Sequence, residues 1–134
     1  MKTINVGLLG LGTVGSGMVK VFQEHVELLD RRVGAKLRIK KIAVRRLPPR
    51  IPVDPKLLTT NAVEVVTDPQ IDIVVELIGG TTVAKSLCLD AIANGKHLVT
   101  ANKALLAEHG LELYRAAAEK RVDLGFEASV CGAI

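Results

Sequence analysis

The opening of the chain constrains its fold more than any other segment. Ile4–Leu9 is a short, mainly apolar run, followed at once by Gly10-Leu11-Gly12-Thr13-Val14-Gly15. A run without polar alternation suits a strand buried on both faces. From Thr13 the hydrophobic period changes: Val14, Met18, Val21, Phe22 and Leu29 recur at helical spacing, with Lys20, Glu24 and Glu27 opposite. Strand, glycine turn and helix in that order open a crossover unit. The same alternation then repeats. Leu37–Val44 reads as a second strand, most buried at Ile42-Ala43-Val44. Arg45–Asn61 holds four of the five prolines and reads as an irregular excursion with one helical turn at Lys56–Leu58.

Asp68-Pro69 marks a turn before the strand Ile71–Ile78, which Gly79-Gly80 ends. Val83, Leu87, Ala91 and Ile92 predict a helix closed by Asn94-Gly95. A short strand His97–Thr100, a helix Leu105–Arg121 with Gly110 as a candidate break, and a fifth strand Val122–Phe126 complete the pattern. Strands separated by helical crossovers require a parallel sheet covered on both faces. The rules of connection then favour an α/β, doubly wound parallel sheet. At 134 residues the chain has material for one such domain, spanning 1–134.

Composition removes other classes. With 49% hydrophobic residues the chain can bury a core, which excludes disorder. No apolar run approaches the roughly 20 residues of a membrane-spanning helix. The glycines of the first segment, and the lack of a small-residue cleavage site, argue against a secretion signal. Two cysteines, Cys88 and Cys131, are too few for a disulfide framework and both read as inert packing thiols. His25, His97 and His109 show no metal-site spacing. A soluble cytoplasmic domain is expected.

Charge is unevenly placed. Nine of the 18 basic residues fall between Arg31 and Arg50 with no acid among them, while the rest of the chain is acidic. Such an island suggests one anionic partner. Nucleic acid is disfavoured, because aromatics make up only 2% and leave little to stack on bases.

The glycine turn names a better anion. Gly10-x-Gly12-x-x-Gly15, directly after a buried strand and opening a helix, fits the dinucleotide fingerprint of a Rossmann-like domain. Gly10 allows the tight turn, Gly12 lets backbone approach a pyrophosphate, and Gly15 lets the helix pack closely. The helix start, with Thr13 and Val14, offers amides and a positive dipole end to the phosphates. The end of the second strand selects the dinucleotide. An acid there would accept from a ribose 2′-hydroxyl, whereas a cation suits a 2′-phosphate. The sequence reads Val44-Arg45-Arg46, with Arg50 close behind. NADP is therefore expected over NAD, with Arg45 as the main phosphate contact. Glu76, inside an apolar strand, needs a partner, and a structural pairing or a cofactor-side role are both open.

These segments also resemble the N-terminal, nucleotide-binding part of the homoserine dehydrogenases. The likeness spans the chain and rests on the glycine turn, Ala43-Val44-Arg45, Val75-Glu76-Leu77-Ile78-Gly79-Gly80, Gly95-Lys96-His97-Leu98-Val99-Thr100-Ala101-Asn102-Lys103 and Phe126-Glu127-Ala128-Ser129-Val130-Cys131-Gly132. It implies NADP-linked, reversible interconversion of aspartate 4-semialdehyde and L-homoserine, on the way to threonine and methionine. It places Lys103 beside nicotinamide and substrate, as catalytic and cofactor-contacting. Without the resemblance, a surface lysine at a strand end would be the plainer reading. It also implies a monovalent-cation site, sodium in the family, on Glu127, Val130, Gly132 and Ile134; oxygen donors of this kind suit a hard cation.

Two departures stand out: Arg46 occupies a position where the family commonly has an acid, and Cys131 one where it has a small residue. The family continues past the equivalent of Ile134 into a substrate and dimerisation domain that holds a second essential lysine. The resemblance therefore implies a homodimer for the full-length protein and little turnover by this portion alone. A stand-alone NADP-binding regulatory module is the alternative reading. A dihydrodipicolinate reductase-like enzyme is a weaker one, opposed by Thr100-Ala101-Asn102-Lys103.

Overall fold

In a computed structural model, which describes residues 2–49 and 51–126, six parallel strands form one sheet. They are β1 (Thr3–Leu9), β2 (Lys36–Ala43), β3 (Leu58–Thr59), β4 (Ile73–Glu76), β5 (His97–Thr100) and β6 (Leu124–Phe126). Their order is β3-β2-β1-β4-β5-β6, with every neighbouring pair parallel. That is the doubly wound arrangement expected from the alternation, and its direction reverses between β1 and β4.

Among the described residues, five α-helices flank the sheet: α1 (Thr13–Glu24), α2 (Val26–Val33), α3 (Val63–Thr67), α4 (Thr82–Ala93) and α5 (Lys103–Lys120). One core layer joins Val65, Val66, Leu87, Ile92, Leu105 and Leu113 to Leu9, Val74 and Leu98 of the sheet. The other packs Val19 against Val6, Leu8, Ile42 and Val75. β1, read as buried on both faces, has residues in both layers, as do β2 and β4. None of the helices among the described residues is long and apolar enough to cross a membrane.

Several boundaries differ from the sequence expectation. The first helix breaks at His25 (φ −124°, ψ 29°) and resumes as α2, which ends at Gly34. An unbroken helix of that length would run about 30 Å, beyond the edge of a seven-residue strand. The break instead folds α2 back so that Asp30 accepts from Leu37 N (3.0 Å) and pairs with Arg38 (2.8 Å). Both charges gain from that contact. Arg38, then the Leu37 amide, hold the Asp30 carboxyl below its ordinary range, and Asp30 raises Arg38.

Val14 and Val83, read as buried markers, are exposed at 49% and 62%; Val19, Ala84 and Cys88 occupy the inward positions. Gly110 does not break α5, because Leu105, Leu113 and Ala117 on either side of it are buried. The proline-rich excursion keeps its helical turn, a 3₁₀ turn over Pro55–Leu57, but then adds β3. The sheet thus has a sixth strand, β3, and a helix, α3, that the pattern did not announce.

The basic island is also divided. Between Val6 and Gly7 the β1–β2 register slips by one residue, a bulge that lets consecutive Lys40 and Lys41 reach the same partner. Their ammonium groups lie 2.7 and 3.0 Å from Asp68 Oδ2. Lys96, buried, donates to the Asp68 carbonyl. Of the island, then, Arg38, Lys40 and Lys41 are spent inside the fold.

Cys88 is fully buried. Burial, with a smaller contribution from the neighbouring Glu76, pushes its thiol up to about 12, so little reactive thiolate exists near neutrality. Peptide mapping after iodoacetamide treatment is expected to find Cys88 unmodified in the folded protein and fully modified in denaturant. Rapid modification of the native Cys88 peptide would contradict this packing role.

Candidate functional site

The site begins where β1 ends. Gly10 has φ +107°, a conformation open to glycine, and its amide donates to Ala43 O at 2.9 Å. A Cβ at Gly10 would stand 3.1 Å from the Leu77 carbonyl oxygen, so the turn is closed in against the strand on its other side. Gly15 lies beneath the turn: a Cβ there would meet Gly10 O at 2.7 Å. Its smallness therefore serves the approach of α1 to the turn itself. Gly12 differs, since a Cβ there would meet none of the described residues within 4 Å. It precedes the helix in an extended conformation, and no side chain among the described residues caps α1. The uncapped amides and positive end of α1 are thus available to an anion beside Gly12.

Around this turn lies a cleft of about 530 Å³ at the carboxyl edge of the sheet. Gly10, Leu11 and Gly12 form its floor, Leu77 and Ile78 follow β4 on one side, and Val44, Arg45, Arg46, Pro48 and Pro49 follow β2 on the other. The structure thereby brings together Gly10, Gly12, Val44, Arg45 and Arg46 among the residues singled out from sequence. Thr13 and Val14 open the adjoining helix and are exposed, and Gly15 is buried behind the turn. The cleft sits across the β1–β4 switch point, where open α/β sheets bind ligands. Among the described residues, two guanidinium groups and no carboxylate line it, which fits an anionic ligand.

Lys103 stands apart from this lining. It is the exposed first residue of α5, directly after β5. Two inter-strand spacings, about 10 Å, separate β5 from β1. Asn102 caps the helix, its Oδ1 accepting from Leu105 N at 3.0 Å. Beneath lies Glu76, fully buried at the end of β4, whose Oε1 accepts from Thr100 Oγ1 (3.3 Å) and Asn102 Nδ2 (3.2 Å). The strand carboxylate therefore has the partners its burial requires on one oxygen.

Two features of the site were not found from sequence. Pro48 and Pro49 read as loop punctuation, yet they wall the cleft; their place right after Arg45-Arg46 was the available signal. Leu77 and Ile78 were read as strand, although their position beyond the carboxyl end of β4 marks them as cleft residues. The cation set Glu127, Val130, Gly132 and Ile134 lies outside the described residues.

A family model described as the NAD binding domain of homoserine dehydrogenase matches residues 10–127. The chain belongs to the homoserine dehydrogenase family. A homoserine dehydrogenase from Bacillus subtilis is 50% identical over 136 residues, covering 100% of this chain and 31% of the relative. One from Pseudomonas aeruginosa is 48% identical, with the same coverage. The crystal structure of a homoserine dehydrogenase from Thiobacillus denitrificans superimposes with a TM-score of 0.87 at 50% identity, covering 96% of this chain and 30% of that one. The chain thus spans about a third of the length of the curated relatives it matches. It corresponds to their nicotinamide-dinucleotide-binding portion.

Proposed function

We propose that this chain is the NADP(H)-binding portion of a homoserine dehydrogenase, working on aspartate 4-semialdehyde and L-homoserine in threonine and methionine formation. The observation that carries the reading is the cleft at the carboxyl ends of β1, β2 and β4, where an open glycine turn faces two arginines and, among the described residues, no acid. The bound dinucleotide supplies hydride chemistry, and the protein supplies position and charge. Gly12, with the amides at the start of α1 near Thr13 and Val14, takes the diphosphate. Arg45, assisted by Arg46, pairs with the 2′-phosphate, and Val44 borders the adenosine. Lys103, at the edge of α5, holds its ammonium toward the reacting oxygen and the nicotinamide end, where it can steady developing negative charge.

Monovalent-cation binding through Glu127, Val130, Gly132 and Ile134, a homodimeric full-length protein and a cytoplasmic setting belong to the same proposal. So does the expectation of little turnover by residues 1–134 alone. Substantial NADPH-dependent semialdehyde reduction by the purified chain would argue against that last point.

Fluorescence titration with NADPH and NADH tests the cofactor reading. The wild-type chain is expected to favour NADPH, and Arg45→Ala to lose about tenfold of that preference, the worth of one charge-assisted phosphate contact. An unchanged ratio of the two affinities in Arg45→Ala would overturn the assignment of Arg45. Failure of the folded wild type to bind either dinucleotide would overturn the whole reading.

A further inference from the structure

Glu76 is an expensive residue to keep. It ends the apolar strand Ile73-Val74-Val75, its side chain is fully buried, and its Oε2 has no hydrogen-bond partner among the described residues. A buried carboxyl oxygen without a partner costs stability, and an apolar side chain would fill the place more cheaply. Among the described residues, the hydrogen bonds of the carboxyl are confined to Oε1. That atom receives Thr100 Oγ1 from the end of β5 and Asn102 Nδ2 from the start of α5. The same Asn102 Nδ2 also donates to Gly80 O, in the loop between β4 and α4. Meanwhile Thr100 Oγ1 accepts from Asn102 N at 3.0 Å, and Asn102 Oδ1 accepts from Leu105 N at 3.0 Å. One buried oxygen thus holds one asparagine, and that asparagine fixes both the β4–α4 loop and the backbone that carries Lys103.

We propose that Glu76 is a positioning residue for the nicotinamide end of the cofactor site, acting through Asn102 to set Gly80 against the first turn of α5. This rests on the cofactor reading above and adds to it a division of labour. The phosphate and adenosine end is set by the β1 turn and by the residues after β2, none of which belongs to this network. The Lys103 end depends on the Glu76–Asn102 link. Small displacements of a positioned group carry large functional costs.

The two ends can be weighed separately with two probes: NADPH, and 2′-phospho-ADP-ribose, which has the adenosine, phosphates and second ribose but no nicotinamide. Glu76→Leu removes the acceptor. It is expected to weaken NADPH about tenfold and to abolish the change in reduced-nicotinamide emission on binding, while 2′-phospho-ADP-ribose binds within about twofold of wild type. Glu76→Gln, which keeps an acceptor oxygen, is expected to restore NADPH binding to near wild type. Asn102→Ser retains a helix cap but cannot bridge Glu76 and Gly80, and is expected to behave like Glu76→Leu.

If Glu76→Leu does not fold, Asn102→Ser decides the question alone. Parallel weakening of both probes, or of neither, overturns the positioning role. So does a wild type that binds both probes equally and shows no nicotinamide signal. A folded wild type that binds neither probe overturns the cofactor reading itself, and this inference with it.

Discussion

Gly10→Ala is expected to lower stability by about 2–3 kcal/mol and to abolish measurable dinucleotide binding, whereas Gly12→Ala should lose binding with stability kept within about 1 kcal/mol. The two glycines lie two residues apart in one motif, and the difference follows from their surroundings. At Gly10 an added methyl must adopt φ +107° and also stand 3.1 Å from the Leu77 carbonyl, part of the backbone that β4 hands to the cleft. Backbone cannot give way there without disturbing Leu77 N, which donates to Leu9 O at 2.9 Å. At Gly12 φ is −82° and a methyl would meet none of the described residues within 4 Å. It would only occupy space that the proposed diphosphate site needs. Thermal melts should therefore show Gly10→Ala lower by roughly 5–10 °C and Gly12→Ala close to wild type. NADPH titration should fail for both. A Gly12→Ala variant that binds as tightly as wild type would remove the diphosphate from this turn.

The contrast also indicates what could be read in advance. The fingerprint was legible because its residues are adjacent in sequence and its strand and helix have opposite hydrophobic periods. The same holds for β5 and for the Asn94-Gly95 end of α4, where Gly95 takes φ +76° as the pairing predicts. Elements too short to show a period were not legible. β3 has two residues and is recognised by the bond from Val44 N to Thr59 O at 2.8 Å. α3 has five, and its buried Val65 and Val66 carry β-branched side chains that favour strands.

Within the site, Val44, Arg45 and Arg46 could be placed at the cleft because they follow directly on a strand end. The Glu76–Asn102 link could not, since it joins residues 26 apart through a register that only the assembled sheet defines. Val14 and Val83 misled for a related reason. A stripe of apolar residues locates a helix, but the face that turns inward is settled by the sheet it meets, and there Val19 and Ala84 pack.

Asp68 gives the second large effect. Asp68→Ala is expected to cost about 2–4 kcal/mol, measured by urea unfolding at pH 7. The carboxylate is 8% exposed; Oδ2 takes Lys40 and Lys41, and Oδ1 accepts from Gln70 N at 2.9 Å. Alanine would leave two neighbouring ammonium groups facing one another and the turn amide without its acceptor. Because the lysine side chains are about 30% exposed, they can swing outward to water, which keeps the loss below that of a fully buried pair.

The pH dependence distinguishes this charge role from simple packing. Burial opposes ionisation of Asp68, but the hydrogen bonds from Lys40, the Gln70 amide and Lys41 outweigh it and hold the carboxyl well below its usual range. In the unfolded chain the same group titrates near 3.9. Its contribution is therefore complete above about pH 5. It declines as the medium is acidified through the unfolded value toward the folded one, because the unfolded chain then takes up a proton that the native state refuses. Asp30, also held below its ordinary range, adds a separate acid slope of the same sign. Asp68→Asn retains an acceptor for Gln70 and removes only the charge. It should cost less than alanine at pH 7, yet flatten the acid limb by the same amount, approaching one proton or about 1.4 kcal/mol per pH unit. An acid limb unchanged in Asp68→Asn would show that Lys40 and Lys41 do not hold this carboxylate in solution.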